Sequence, residues 1–101
     1  KRKGLDAFPF ELNKFPNLQK LDLNRNKIRE FPDSLEYLAK LIFLDLSRNH
    51  INHIPNSINQ LVMLEYLDLW NNDIDAVPDQ MFQLSSLAYL DIRGVSVSHV
   101  N

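Results

Sequence analysis

The stretch from Leu41 to Pro55 reads LIFLDLSRNHINHIP, and its pattern recurs on both sides at a fixed step of 23 residues. Leu18, Leu41, Leu64 and Leu87 hold one position of the unit. Leu21, Leu44, Leu67 and Leu90 hold the next, and Leu23, Leu46, Leu69 and Ile92 the third. Asn26, Asn49 and Asn72 follow three residues later, then Ile28, Ile51 and Ile74. Each unit then passes an apolar-Pro pair: Phe31-Pro32, Ile54-Pro55 and Val77-Pro78. A period of this size marks a solenoid, because one unit cannot bury its apolar face alone and stacked neighbours bury it together.

Within the unit, residues 20–24, 43–47, 66–70 and 89–93 place leucine or isoleucine at every second position. That alternation predicts strands with one buried face, Leu21, Leu23 and their equivalents pointing inward. Successive units supply successive strands, so the sheet is expected to be parallel, with the rest of each unit as the crossover. The crossover reads PDSLEYL at 32–38, PNSINQL at 55–61 and PDQMFQL at 78–84. Its apolar residues three apart (Leu35/Leu38, Ile58/Leu61, Met81/Leu84) predict short helices or 3₁₀ turns with one buried side. Proline is expected at the first helical position and Asp, Asn or Ser at the cap.

The spacing Leu-x-x-Leu-x-Leu-x-x-Asn-x-Ile, continued by apolar-Pro-x-x-apolar-x-x-Leu, resembles the leucine-rich repeat family in its 23-residue, intracellular-type form. The resemblance covers residues 18–100 and reaches back to Leu5, Phe8, Pro9, Leu12 and Phe15 as a partial unit. It implies an α/β solenoid with a short parallel sheet on the concave face and short helices or 3₁₀ turns on the convex face. It divides a single domain, residues 1–101, into a partial repeat 1–17, repeats 18–40, 41–63 and 64–86, and a truncated repeat 87–101. It also implies that Asn26, Asn49 and Asn72 bond backbone groups of adjacent turns as a structural ladder, and that protein or peptide ligands are the partner class. The fourth unit departs from the pattern: Val95 stands at the asparagine position and Asn101 at the proline position.

Composition narrows the function classes. A formal charge of −2 lacks the basic stripe of a general nucleic-acid binder. The charge is uneven, since residues 64–101 carry six carboxylates against the single Arg93. With no cysteine, disulfide-bonded end caps and thiol chemistry are excluded. No Asn-x-Ser/Thr site, signal peptide or membrane-length apolar run occurs in the sequence, so an intracellular, cytoplasmic protein without membrane contact is expected.

The residues alternating with the buried leucines fall into columns across the sheet. The first is Lys20, Phe43, Tyr66 and Tyr89; the second is Asp22, Asp45, Asp68 and Asp91; the third is Asn24, Ser47, Trp70 and Arg93. Arg25, Arg48, Asn71 and Gly94 lie beyond them. Aromatics and arginine on an exposed face are enriched where partners bind. Cross-strand aromatic pairing for its own sake is the plainer reading. Phe43, Tyr66, Trp70, Tyr89, Asp45, Asp68, Asp91 and Arg93 are therefore the candidate partner-binding residues, with Tyr66 and Trp70 expected to be substantially exposed.

The aspartate column is expected to be solvated, and Asp45→Ala near neutral. Single carboxylates on flat strands offer few of the six to eight oxygens that calcium takes, so no metal is assigned. His50, His53 and His99 read as loop side chains, and the Lys1-Arg2-Lys3 run as a solvated end. No phosphate loop, serine elbow or Cys/His cluster occurs, and neither catalytic residue nor cofactor is expected.

The reading is a non-enzymatic protein-interaction module. Its rivals are a scaffold or regulatory repeat segment of a larger enzyme, such as a receptor kinase or ligase, and a structural solenoid that works through its end. Leu87, Leu90, Val95, Val97 and Val100 are expected to form an apolar C-terminal surface, covered by a second copy end to end or by further chain.

Overall fold

A computed structural model describes residues 4–94. Four three-residue strands, β1 (Lys20–Asp22), β2 (Phe43–Asp45), β3 (Tyr66–Asp68) and β4 (Tyr89–Asp91), form one sheet in chain order. All neighbours pair in parallel, and equivalent residues face each other: Leu21 opposite Leu44, Leu44 opposite Leu67, Leu67 opposite Leu90. A register shift of one residue would turn every leucine to solvent, so the alternating pattern holds the pairing in place.

The strands are shorter than the five-residue segments expected, but hydrogen bonding between units continues past them. The amides of Leu23 and Arg25 donate to the Asp45 and Ser47 carbonyls at 2.8 and 3.0 Å. Leu46 and Arg48 donate likewise to Asp68 and Trp70, both at 2.8 Å. The chain then bends through left-handed residues at Arg25, Arg48 and Asn71, with φ of 60°, 58° and 60°, and at Gly94, with φ of 86°. This ends each strand. Gly94 therefore shares the conformation of its column with Arg25, Arg48 and Asn71. A Cβ there would meet the Asn71 backbone nitrogen at 3.1 Å.

The crossovers contain 3₁₀ segments at Phe10–Lys14, Glu36–Leu38, Asn56–Gln60 and Asp79–Gln83. Proline precedes three of them in an extended conformation instead of occupying the first turn: Pro9, Pro55 and Pro78 have ψ of 127°, 158° and 154°. Its carbonyl accepts the first bond of the turn, from Leu12, Ile58 and Met81. None of the four cap residues bonds through its side chain. A neighbouring unit assists in one place, where the Leu35 amide donates to Gln60 Oε1 at 2.6 Å.

The core is one continuous cluster between sheet and crossovers, running from Phe8 and Leu12 through the leucine columns to Met81 and Leu84. Leu44, Leu46, Leu67 and Leu69 are wholly buried, whereas Leu90 is 37% exposed and Leu5 38% exposed. Burial follows the number of stacked neighbours. Leu87 is half-buried; Val95, Val97 and Val100, the rest of the expected apolar end, lie outside the described residues.

Candidate functional site

The asparagines after the strands supply the polar interior of the turns. Asn49 Nδ2 donates to the Leu23, Leu46 and Ser47 carbonyls at 3.0, 3.0 and 3.2 Å, and its Oδ1 accepts from the Ile28 amide at 3.0 Å. Asn72 binds the Leu46 and Leu69 carbonyls and the Ile51 amide in the same way. Asn26 joins the Leu23 carbonyl to the Leu5 amide. Each side chain thus ties its own unit to the one before, and all three are buried. Buried amides must be satisfied in this manner or they cost stability.

The first concave column is a stack. Phe43 and Tyr66 lie with ring centroids 4.4 Å apart and planes 9° apart, and Tyr66 and Tyr89 at 4.4 Å and 5°. Lys20 Nζ sits 4.9 Å from the Phe43 ring centroid and covers that end. Equivalent positions on parallel strands of about 4.8 Å spacing force the rings face to face. Phe43 and Tyr66 are half-buried as a result, and Tyr89 is exposed. Trp70 is half-buried too, with the Arg48 guanidinium 4.9 Å from its ring centroid. Tyr66 and Trp70 lie on the concave face as expected, but they are less open than expected because each has a neighbour against its ring.

The aspartate column differs most from its reading as solvated charge. Asp22, Asp45, Asp68 and Asp91 each accept through Oδ1 from the backbone amide two residues on, at 3.1, 2.9, 3.0 and 3.0 Å. These are Asx turns, and they end the strand at its third residue by offering the next amide a local acceptor. Asp45 also takes the Ser47 hydroxyl at 2.7 Å. Asp91 is buried and receives Arg93 as a fork, Nε to Oδ1 at 3.0 Å and Nη2 to Oδ2 at 2.7 Å. The sequence signal for this role is Asp at the strand end alone, since the bond is to the backbone amide two positions on, that of Trp70 included. An Asp on a solvent-facing column looks identical in composition, so it was missed.

These contacts set the ionisation of the face. The Arg93 hydrogen bond, helped by its amide, holds Asp91 down at about 2. Burial raises Asp68, and the flanking Asp45 and Asp91 raise it further against the opposing hydrogen bond from the Trp70 amide. Tyr66 is pushed up to about 12, first by burial and then by the neighbouring Asp68, to which its hydroxyl donates at 3.4 Å. Burial and the negative charge of Asp91 raise Tyr89 as well. The tyrosines therefore remain neutral hydrogen-bond donors at any ordinary pH.

Elsewhere the described residues form open clefts. One of ≈ 430 Å³ is lined by Arg48, His50, Trp70, Asn71 and Asp73 among others, beside the concave face. His50 and His53 are exposed; His99 and Lys1 to Lys3 lie outside the described residues. No group of three or more His, Cys, Asp or Glu side chains is placed to hold a metal ion among the described residues. No described helix is long and apolar enough to cross a membrane.

Comparison with known proteins places this geometry. No curated protein matches the sequence. Among solved structures, a leucine-rich repeat protein of Leptospira interrogans is 33% identical with a TM-score of 0.83, over 97% of this chain and 24% of that one. An internalin of Listeria monocytogenes is 26% identical with a TM-score of 0.73, over 88% of this chain and 25% of that one. The chain thus spans about a quarter of the length of either structure. The family description "leucine-rich repeat region" matches residues 11–100, and with four parallel strands in register over that span, the chain belongs to the leucine-rich repeat family.

Proposed function

We propose that this chain is a non-enzymatic interaction module that binds a protein or peptide on its concave face. The observation that carries the reading is the aromatic stack of Phe43, Tyr66 and Tyr89, with Trp70 beside it, on the solvent side of a flat sheet. None of these rings belongs to the buried core, and large aromatic side chains on a surface supply contact area at little entropic cost. Asp45, Asp68, Asp91 and Arg93 border the stack and give it electrostatic selectivity. The clefts are shallow and open, which suits an extended ligand better than an enclosed small molecule. An intracellular location fits the cysteine-free composition and belongs to the same proposal.

The test is affinity capture from cell extract with the intact chain and with Tyr66→Ala/Trp70→Ala, followed by direct binding of whatever is captured. Loss of binding in the double variant, with an unchanged melting curve, is the expected result. Interactions that survive it unchanged would move the site off this face. A second reading, in which the module is a scaffold or regulatory segment of a longer chain, is favoured by its spanning a quarter of the two matched structures. The full reading frame decides that question: flanking catalytic domains support it, and none would remove it.

A further inference from the structure

Among the described residues, three cations of the chain sit against the aromatic and acidic groups of the concave face, and their placement exposes a gap. Lys20 covers the Phe43 end of the aromatic stack. Arg48 lies over Trp70 at the turn edge. Arg93, with its side chain 77% exposed, lays its guanidinium on the Asp91 carboxylate from the solvent side, the one ion pair among the described residues. In the middle of the face, Asp45 and Asp68 stand opposite each other in register on β2 and β3 with no cation between them among the described residues. Each commits Oδ1 to its own turn. Among the described residues, Asp45 Oδ2 accepts no hydrogen bond, and Asp68 Oδ2 accepts only the long one from Tyr66.

Building on the peptide-binding reading, we propose that the occupant of this face is an extended partner segment that sets an arginine or lysine side chain between Asp45 and Asp68. Strands about 4.8 Å apart hold the two carboxylates at a separation that one guanidinium can bridge, with a donor for each. Unbridged, two such charges repel by roughly 1 kcal/mol even in water-like surroundings. Burial is the main cause that raises Asp68, and the neighbouring charges of Asp45 and Asp91 raise it further. The faces of the Tyr66 ring are closed by Phe43 and Tyr89, so the incoming cation has the carboxylates and not the π-face as its partner. The half-exposed ring edges form an apolar floor for the aliphatic stem, as long basic side chains require. Arg93, forked on the single carboxylate of Asp91, shows that a guanidinium reaches this column from the solvent side.

Three dye-labelled synthetic peptides test this by fluorescence anisotropy: alternating Arg-Ser, Gln-Ser and Glu-Ser of equal length. The Arg-Ser peptide is expected to bind about tenfold or more tighter than Gln-Ser at low salt, with the advantage shrinking as salt rises. Asp45→Asn/Asp68→Asn should erase that advantage. Asparagine keeps an Oδ1 acceptor for the Ser47 and Trp70 amides, so the turns survive, and a melting curve checks it. Should the double variant melt early, Asp68→Asn alone serves, with at least half of the advantage, on a logarithmic scale, expected to vanish. Absence of Arg-Ser binding, equal binding of Arg-Ser and Gln-Ser, or an advantage untouched by the Asn substitutions overturns the proposal. The same peptides against Tyr66→Ala/Trp70→Ala separate the two readings. Where Arg-Ser has no advantage, loss of Gln-Ser or Glu-Ser binding there keeps the peptide-binding face while the cation slot falls. Arg-Ser binding that needs the aspartates and ignores the aromatic pair keeps the slot and removes the aromatic face.

Discussion

Asn49 and Asp45 show how differently two polar residues of one turn are legible. Asn49 is buried and makes three donor contacts and one acceptor contact, joining its own unit to the preceding one. Asn49→Ala strands the Ile28 amide and leaves the Leu23 carbonyl to Asn26 alone, so a loss of about 1–3 kcal/mol is expected in denaturant melts. Asp45 is half-buried and holds the Ser47 amide and hydroxyl. Asp45→Ala should cost about 1 kcal/mol, whereas Asp45→Asn, which keeps the acceptor, should stay within about 0.5 kcal/mol. The recurrence of Asn at one step of the unit marks a position the backbone needs. Asp recurs just as regularly but faces solvent, where sequence cannot separate a carboxylate that holds a turn from one that only repels its neighbours. Tyr66 and Tyr89 carry the same lesson: their column predicts the face, but stacking follows only from the strand spacing. All three tyrosines are raised, Tyr37 by burial alone. For Tyr66 the folded value of about 12 exceeds the ordinary tyrosine value of 10.0. Its contribution to stability is therefore complete below pH 10 and is lost as pH rises through about 12. Ultraviolet difference absorbance should show phenolate forming above the range of free tyrosine, and a normal tyrosine titration in the folded protein would contradict the hydrogen-bonded stack.

At the scale of the element, the left-handed turn separates what the alternation of leucines predicts from what the chain does. The alternation gives the buried face and the register of all four strands. It does not give their length, because the Asx turn and the left-handed residue that follow cut each strand to three residues. Arginine has no preference for that conformation, so Arg25 and Arg48 give no local sign of it. The column as a whole does: Asn71 and Gly94 are residue types that tolerate positive φ, and they share a position with the two arginines. Arg25→Gly should relieve the strain and stabilise the chain by about 0.5–1 kcal/mol in a chemical melt. Gly94→Ala should do the reverse, since its Cβ would press on the Asn71 backbone at 3.1 and 3.2 Å in a conformation that side chains rarely adopt. If both changes proved neutral, the turn would not be the strained element that its φ values indicate. The 3₁₀ segments were legible in their buried face and not in their start. Proline ahead of the turn, in an extended conformation, satisfies the same φ as proline inside it.

For the whole molecule, stability is a stacking quantity. Each unit contacts its neighbours along the sheet and the crossovers, and a residue's burial depends on how many units flank it. Leu21 is 9% exposed, Leu44 and Leu67 are fully buried, and Leu90 is 37% exposed, though all four are the same letter at the same step. Sequence identity along the column could therefore show the fold but not the gradient, which comes from position in the stack. The gradient makes a prediction that a compact core would not. Leu44→Ala and Leu67→Ala each open a cavity between two packed units and should cost about 2–5 kcal/mol, as large-to-small changes in closed cores do. Leu90→Ala removes a side chain already partly in water, so its cost should be no more than about 1 kcal/mol on transfer of the smaller buried area. Hydrogen exchange should follow the same order. The inter-unit amides of Leu23 and Leu46, bonded to Asp45 and Asp68, should be protected more than that of Leu69, whose acceptor Asp91 belongs to the last described strand. Leu67→Ala should lower protection most in β3 and in both strands beside it, because it weakens the interfaces on each side at once. Leu90→Ala should affect β4 and leave β1 unchanged. Equal costs for the three substitutions, or a uniform loss of protection from Leu67→Ala or from Leu90→Ala, would mean that the chain opens as one block and that unit-by-unit stacking is not what holds it.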